Sequence, residues 1–330
     1  MTAFTAEDWP IAAAALPFPG VRADGSSVTD AAPEVWAESL LEVSDAGFDL
    51  LDVTDSWLRL ADLDAGRRED FAAVCRDTGV TAVSLSAIRR SVIDPRDGVA
   101  NLAYSHRVLE AAAALGIGTV SFGLHRPLTP QQAAQLWFWT VEGPHDDPAD
   151  WQLAVSRLRE LGRHADELGL LMSLEMYEDT FLGTGDSAVR LVQEIGLDNV
   201  GLNPDIGNLI RLHRPVERWE DLVATTLPYA NFWHVKNYAR DEDVERGQYV
   251  ATPAPMLSGL IDYRRAMKVA IDNGFQGVIC VENYGGDGLS VCAENRDYLR
   301  RHVLPRRPGY ALGRSRVRQL GASAASGTTE

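Results

Sequence analysis

Four side chains able to bind a divalent cation each follow an apolar, strand-like run of the chain: Glu175, Asp205, His234 and Glu282. They lie 30, 29 and 48 residues apart, which is one strand–helix unit each, the last lengthened by a loop. Three carboxylates held within a few ångströms repel one another, so keeping them ionised requires a counter-charge. A divalent cation would supply that charge. The set therefore predicts a metal site.

The donor types limit which metal would bind. Three carboxylates and one imidazole suit Mn²⁺, Mg²⁺, Co²⁺ or Zn²⁺, because no thiolate is present to demand a soft metal. In the alternative interpretation, each acid is a solvated residue at the start of a loop. That explanation suits a lone carboxylate, whereas four groups in register favour a shared cation.

Eight apolar runs alternate with helical periodicity along the chain. The runs are 11–16, 48–53, 80–86, 118–123, 170–176, 199–204, 230–235 and 277–282. Helices are predicted at 33–45, 98–115, 150–168, 186–195, 216–226, 260–273 and 290–303. Continuous apolar runs are typical of strands covered on both faces. The pattern predicts an α/β fold, a (β/α)₈ TIM barrel, whose active site would lie at the C-terminal strand ends. A doubly wound sheet with a small second domain is the alternative, but no glycine fingerprint follows the first strand.

The barrel domain is predicted to occupy residues 1–304, followed by a partly mobile tail at 305–330. Two loops exceed the minimum for the fold, 124–149 after strand four and 237–257 after strand seven. The first contains the aromatic segment 136–139, which is too apolar for a solvated loop. We therefore expect the substrate or another chain to cover this segment.

The four ligands resemble those of the xylose isomerase-like barrel superfamily of sugar isomerases and epimerases, over about residues 11–303. In that family the metal binds two adjacent sugar oxygens, and two metal-bound glutamates move the proton. The resemblance implies that Glu175 and Glu282 carry those roles, with Asp205 and His234 as ligands only. The family usually has a substrate-contacting histidine shortly after the aspartate, and Asn208 stands there in this sequence.

The long loop after strand four carries His145 and begins close to His125, and with it the layout more closely resembles the catalytic α subunits of bacterial C-glycoside deglycosidases. Members of that family bind a divalent metal, usually taken as Mn²⁺, and pair with a small β subunit. The resemblance implies cleavage of 3-oxo-C-glucosides, Mn²⁺ as the first-choice cofactor, and a homo- or hetero-oligomer. A metal-dependent ketose isomerase or epimerase is the alternative function. A non-catalytic sugar-binding subunit is a third.

Deglycosidation of this kind starts from a sugar whose carbon 3 is a ketone. A base removes the acidified carbon-2 hydrogen, and the aryl group then leaves from carbon 1, protonated at its ring carbon. His145 is the predicted base, because histidine titrates near neutrality; the alternative is a solvated side chain. His125 and Lys236 are expected to contact the substrate, Lys236 because strand alternation directs it to the barrel mouth. Trp137 and Trp139 suit a flat aromatic aglycone or a subunit interface.

Charge excludes several partner classes. With 31 Lys and Arg against 47 Asp and Glu, the net charge is −16. Nucleic acids and anionic membranes need a basic surface, so neither is expected as a partner, and a barrel endonuclease is disfavoured. No apolar run is long enough for a transmembrane helix, and acids stand where a signal peptide has basic residues. Three cysteines in apolar segments predict reduced core residues of a cytoplasmic protein.

Overall fold

Parallel strands form a nearly closed barrel in the computed structural model, which describes residues 3–320. The strands of the described chain are β1 (Ile11–Ala14), β2 (Leu50–Thr54), β3 (Thr81–Ala87), β4 (Thr119–Phe122), β5 (Leu171–Glu175), β6 (Val200–Asn203), β7 (Phe232–Val235), β8 (Asn237–Asp243), β9 (Gln248–Ala254) and β10 (Val278–Val281). Eight of them pair in the order β6-β5-β4-β3-β2-β1-β10-β7, and β8 pairs only with β9. The predicted (β/α)₈ barrel is confirmed.

Helices surround the barrel between successive strands. They are α1 (Pro33–Asp45), α2 (Ala65–Thr78), α3 (Gly98–Ala114), α4 (Pro130–Ala133), α5 (Trp151–Glu167), α6 (Gly185–Ile195), α7 (Gly207–Ile210), α8 (Trp219–Thr226), α9 (Tyr263–Asp272) and α10 (Gly288–Tyr298). Every predicted helix is present, with ends shifted by a few residues. Helix α2 was not predicted, because it buries only Phe71, Val74 and Thr78 and is otherwise polar.

The seam between β6 and β7 closes the barrel without a regular ladder. These two strands lie at opposite ends of the sheet order, and a single bridge joins Leu202 to Ala230. Beyond the bridge, the backbone N–H of His234 donates to Asn203 Oδ1 at 2.7 Å. A side chain therefore replaces a main-chain partner at the seam, next to two of the predicted metal ligands.

The interior of the barrel is polar on the side formed by β2 to β6. Asn203 Nδ2 on β6 donates to Ser121 Oγ on β4 at 3.4 Å, two strands away, so both side chains lie inside the barrel. Ser86 on β3 likewise donates to Asp52 on β2. Small or apolar residues occupy the other side, namely Ala12, Ala14, Phe232, Val278 and Cys280. A set of polar side chains inside the barrel therefore extends to the end that carries the predicted ligands.

The segment after β7 differs from its prediction as a plain loop. Residues 237–243 and 248–254 form the antiparallel β8–β9 hairpin. Its turn ends at Gly247, whose φ of 63° is the left-handed conformation that glycine tolerates best. Tyr249, Val250 and Thr252 in this segment are residue types that favour strands, and this signal was not used in predicting a loop.

The described part of the predicted tail, residues 305–320, packs against the N-terminal face of the barrel. Gly313 N donates to Ile271 O at 2.9 Å, and the Arg318 guanidinium bonds Asp166 at 2.7 Å and Asp198 at 2.6 Å. The last ten residues, predicted to be mobile, lie outside the described residues.

Two further observations concern membranes and cysteines. Within residues 3–320, no helix combines the length and hydrophobicity needed to cross a bilayer. The three cysteines form no disulfide, and Cys280 and Cys292 are buried, as expected for core thiols.

Candidate metal centre

The structure brings the four predicted ligands together at the C-terminal end of the barrel. Glu175 ends β5, Asp205 lies two residues beyond β6, His234 is in β7 and Glu282 directly follows β10. His234 Nδ1 lies 3.9 Å from Glu175 Oε2 and 3.7 Å from Glu282 Oε2. Glu175, Asp205 and His234 each offer a ligand atom within 4.8 Å of the others. All four side chains are buried.

Lys236 supplies positive charge among these carboxylates. Its Nζ lies 2.5 Å from Asp205 Oδ2 and also contacts Glu282 Oε1. Burial lowers the pKa of Lys236, although the Asp205 carboxylate opposes that shift. The side chain was expected to bind a sugar oxygen, and in the structure its partners are two of the predicted ligands.

The donor set fits a divalent cation. Asp205 Oδ1 and His234 Nδ1 are buried and have no hydrogen-bond partner among the described residues. Buried polar atoms are almost always paired, so unpaired atoms on converging side chains indicate a missing partner. Carboxylate oxygens with one imidazole nitrogen suit Mg²⁺, Mn²⁺, Co²⁺ or Zn²⁺.

Asn208, at the start of the barrel-mouth helix α7, fixes two of the carboxylates. Its Nδ2 lies 2.9 Å from Asp205 Oδ2 and 3.2 Å from Glu175 Oε1. It also donates to the Met176 carbonyl at 3.0 Å. The amide was expected to contact the substrate, and the contacts it makes within the chain orient the predicted ligands.

His125 lies on the other side of Glu175. Its Nε2 is 3.5 Å from Glu175 Oε1, and its ring packs on Tyr177 with centroids 3.8 Å apart. Burial alone would raise the pKa of Glu175, but His125, His234 and Lys236 outweigh it and hold that pKa well below its usual range. For His234, burial alone would lower the pKa. Its contacts with Cys280, Asp52 and Glu175 outweigh burial and raise that pKa above its usual value.

An aromatic cover closes the ligand end of the barrel. Trp139 is buried, and its ring packs edge-on against Tyr284 and Tyr238, with centroids 5.3 and 5.7 Å apart. Trp137 stacks on Trp139 at 4.9 Å. Gly285, with a φ of 75°, leaves space for Trp137, because a Cβ there would meet the Trp137 ring at 2.7 Å.

Comparisons with known proteins agree with this architecture. Residues 40–302 match the family model described as xylose isomerase-like TIM barrel. The chain belongs to this family. A xylose isomerase-like TIM barrel protein from Mycobacterium smegmatis, solved in complex with magnesium, is 46% identical, with a TM-score of 0.87 over 90% of this chain and 97% of that one.

Solved structures of lower sequence identity share the fold. D-psicose 3-epimerase from Clostridium cellulolyticum H10, solved with D-tagatose, is 16% identical, with a TM-score of 0.62 over 90% of this chain and 99% of that one. The 3-keto-D-glucoside 4-epimerase from E. coli is 15% identical, with a TM-score of 0.60 over 89% and 99%. The comparison with curated proteins gave no match.

His145 is not placed with the buried group. Its side chain is 61% exposed, and its Nε2 lies 3.1 Å from Glu142 Oε1. The next residue, Asp146, turns inward, where it accepts from Arg126 Nη2 at 3.0 Å and from the Phe181 backbone N–H at 2.8 Å. His145 consequently points outward, and this geometry does not support its predicted role as the base.

The aromatic segment also differs from its expectation. We expected the substrate or another chain to cover it, and the structure covers Trp139 with residues of the same chain. Leu136 is the residue of the segment that remains strongly exposed, at 86%. Leaving a single leucine in water is ordinary for a folded protein, so the segment itself gives no evidence of a partner.

Sequence reasoning missed an ion pair beneath the aromatic cover. Arg211, in the loop after α7, is fully buried and donates from Nη2 to both carboxylate oxygens of Glu178 at 2.9 Å. The rings around its guanidinium, with centroids 4.8 to 5.5 Å away, are Phe138, Trp139, Tyr177 and Tyr284. The sequence feature that could have pointed to this ion pair is the position of Glu178, three residues after the predicted ligand Glu175.

Proposed function

We propose that this barrel is a divalent-metal-dependent sugar isomerase or epimerase. The observation that carries the proposal is the convergence of the four predicted ligands at the barrel mouth. Glu175, Asp205 and His234 offer atoms within 4.8 Å of one another, and Glu282 Oε2 lies 3.7 Å from His234 Nδ1. Family membership supports it, since the related structures include several sugar epimerases. The magnesium complex of the 46%-identical relative supports a hard divalent cation. Mg²⁺ and Mn²⁺ are the metals to test first.

The proposed chemistry removes a proton from the carbon beside a sugar ketone. When bound, the cation would hold two adjacent sugar oxygens and stabilise negative charge on the ketone oxygen. Glu175 ends β5 and Glu282 follows β10, and the neighbouring strands β6 and β7 lie between these two strands in the barrel. One group, as a carboxylate, can therefore take the proton, while the other, as a carboxylic acid, donates a proton from the opposite side of the sugar. The low pKa of Glu175 keeps it ionised, as a base must be.

The proposal is tested by hydrogen exchange into a ketose. Metal-free protein is supplied with Mn²⁺ or Mg²⁺ in D₂O and incubated with D-fructose, D-psicose or D-tagatose, and deuterium at carbon 3 is measured by NMR. Exchange should require metal, and Glu175→Gln and Glu282→Gln should each reduce it by roughly 10²–10⁴-fold. Glu142→Gln is the matched control, because that carboxylate is exposed and outside the cluster. Full exchange after chelation would refute the proposal.

C-glycoside deglycosidation is the second candidate. It uses the same proton removal, followed by departure of an aryl group. The ring of Tyr284 favours it, because its centroid lies 5.3 Å from Lys236 Nζ at the ligand end, where it would meet an aromatic aglycone. Asn208, in the place of a histidine, also separates this chain from the usual epimerase pattern. The expected small β subunit and oligomeric assembly belong to this candidate.

A 3-oxo-C-glucoside distinguishes the two candidates. Incubation with this substrate and Mn²⁺, with and without a small partner subunit, should release free aglycone only if the second candidate is correct. Ketose exchange without aglycone release supports the isomerase or epimerase. The corresponding glucoside without the ketone should be inert in both cases, because it has no acidified hydrogen.

A further inference from the structure

A buried carboxylate lies behind the metal centre, inside the barrel. Asp52, in the middle of β2, is fully buried. Ser86 Oγ on β3 donates to its Oδ1 at 3.1 Å. Its Oδ2 has no hydrogen-bond partner within residues 3–320 and lies 3.5 Å from His234 Nε2. The second oxygen of Asp52 is thus directed at a predicted ligand.

The two nitrogens of the His234 ring face different groups. Nδ1 faces Glu175 and Glu282, at 3.9 and 3.7 Å, and Nε2 faces Asp52. A neutral imidazole carries its hydrogen on one nitrogen only, and the bare nitrogen is the one that can bind a metal. A carboxylate beside Nε2 stabilises the hydrogen there, which leaves Nδ1 bare on the side of the other ligands.

We propose that Asp52 is a positioning residue that holds His234 in its metal-binding tautomer and orientation, an inference that rests on the proposed metal site. Histidine ligands in metal sites commonly donate their second N–H to a carboxylate, which fixes the ring and strengthens it as a ligand. The arrangement also accounts for Asp52 itself, since an anion is costly to bury without a partner.

Cys280 is the competing neighbour of the His234 ring. Asp52, His234 and Cys280 offer atoms within 4.8 Å of one another, so the thiol is in reach of the same ring. A cysteine sulfur is a weak hydrogen-bond acceptor in comparison with a carboxylate oxygen. The carboxylate is the stronger partner for the His234 N–H.

The test measures metal binding, with Asp55→Asn as the matched control. Asp55 is also a buried carboxylate, three residues further along, and its partners are the Ile88 backbone N–H at 3.0 Å and Arg90. Mn²⁺ affinity is measured by calorimetry on metal-free wild type, Asp52→Asn, Cys280→Ala and Asp55→Asn. Asp52→Asn should weaken binding by about 10–100-fold, and the other two variants should stay close to wild type.

Two spectra separate positioning from a general loss of structure. The absorption bands of bound Co²⁺ should shift in Asp52→Asn, and nitrogen-15 NMR of the Zn²⁺-loaded protein should locate the hydrogen on Nε2 of His234 in wild type. Ser86→Ala, which keeps the carboxylate charge, should give an intermediate affinity. Equal Mn²⁺ affinity and equal Co²⁺ spectra in wild type and Asp52→Asn would overturn this inference and leave the proposed function standing. A wild type that binds no divalent metal would overturn both.

Discussion

Arg211 donates to both carboxylate oxygens of Glu178 at 2.9 Å, in a place that water does not reach. Its Nε and Nη1 have no hydrogen-bond partner in the described part of the chain. Four aromatic rings surround it. The ion pair thus joins the loop after β5 to the loop after β6 under the aromatic cover.

We predict that removing one partner of this ion pair destabilises the protein more than replacing both partners with uncharged side chains. Arg211→Met leaves the Glu178 charge buried and unpaired, and should lower the free energy of unfolding by about 3–5 kcal/mol. Arg211→Met combined with Glu178→Gln should recover part of that loss, because no charge then remains unpaired. Urea unfolding of the single and double variants measures the difference. A double variant no more stable than Arg211→Met would contradict this account.

Lys236 should compete with the cation for Asp205 and Glu282, because its ammonium contacts both carboxylates. Lys236→Met removes that charge, so the metal-free variant should be less stable than wild type. Added Mn²⁺ should then raise its Tm by more than it raises that of wild type; binding at 100 times Kd contributes about 2.7 kcal/mol. Thermal unfolding with and without Mn²⁺ measures this. Lys268→Met on the outer helix α9 serves as the control.

Asp146 should make stability depend on pH. Burial raises its pKa from 3.8 to about 6, despite the Phe181 and Arg126 contacts. A carboxyl with a raised pKa binds its proton more tightly when folded, so its contribution to stability is greatest below pH 4 and falls as pH rises to about 6. Relative to Asp146→Asn, wild type should lose up to about 3 kcal/mol over that window, from 1.36 kcal/mol per pKa unit. Denaturant unfolding at pH 4, 5, 6 and 7 measures the difference.

The two histidines expected near the substrate should respond differently to substitution. His145→Ala should change the exchange rate by less than about threefold, because the exposed side chain pairs with the exposed Glu142 and lies 3.9 Å from the buried carboxylate of Asp179, outside the predicted metal centre. His125→Phe keeps the packing on Tyr177 but removes the nitrogen beside Glu175. The pKa of Glu175 should therefore rise, moving the acidic limb of the pH–rate profile to higher pH. A large loss of exchange rate in His145→Ala would instead support His145 as the base.

The sequence predicted the barrel and the ligand end because both depend on local patterns. An apolar run followed by a polar residue places that residue at a strand end, and four such residues on consecutive strands must converge. Glu175 and His234 are therefore readable from spacing alone. Helix α2 was missed for the opposite reason, since it buries few residues and its apolar periodicity is weak.

Side-chain direction within the loops could not be predicted. Nothing in the sequence around His145 shows that Asp146 binds Arg126 and leaves the histidine outside. The covering of Trp139 by Tyr284 joins segments about 145 residues apart in the chain, and such a contact has no local signature. Asp52 did have a signal, since an acid in the middle of an apolar strand is rarely tolerated without a partner.

Because the seam between β6 and β7 is irregular, a cation bound at the candidate metal centre would help to hold the barrel closed. Asp205 follows β6 and His234 belongs to β7, neighbouring strands that a single backbone bridge joins, with side-chain contacts that include Asn203 and the Lys236–Asp205 ion pair. A cation bound by both residues would tie these edges together across the gap in the ladder. Loss of metal should then let the barrel open at this place first. Amide hydrogen exchange would detect the opening as faster exchange in β6 and β7, with β2 to β4 unchanged.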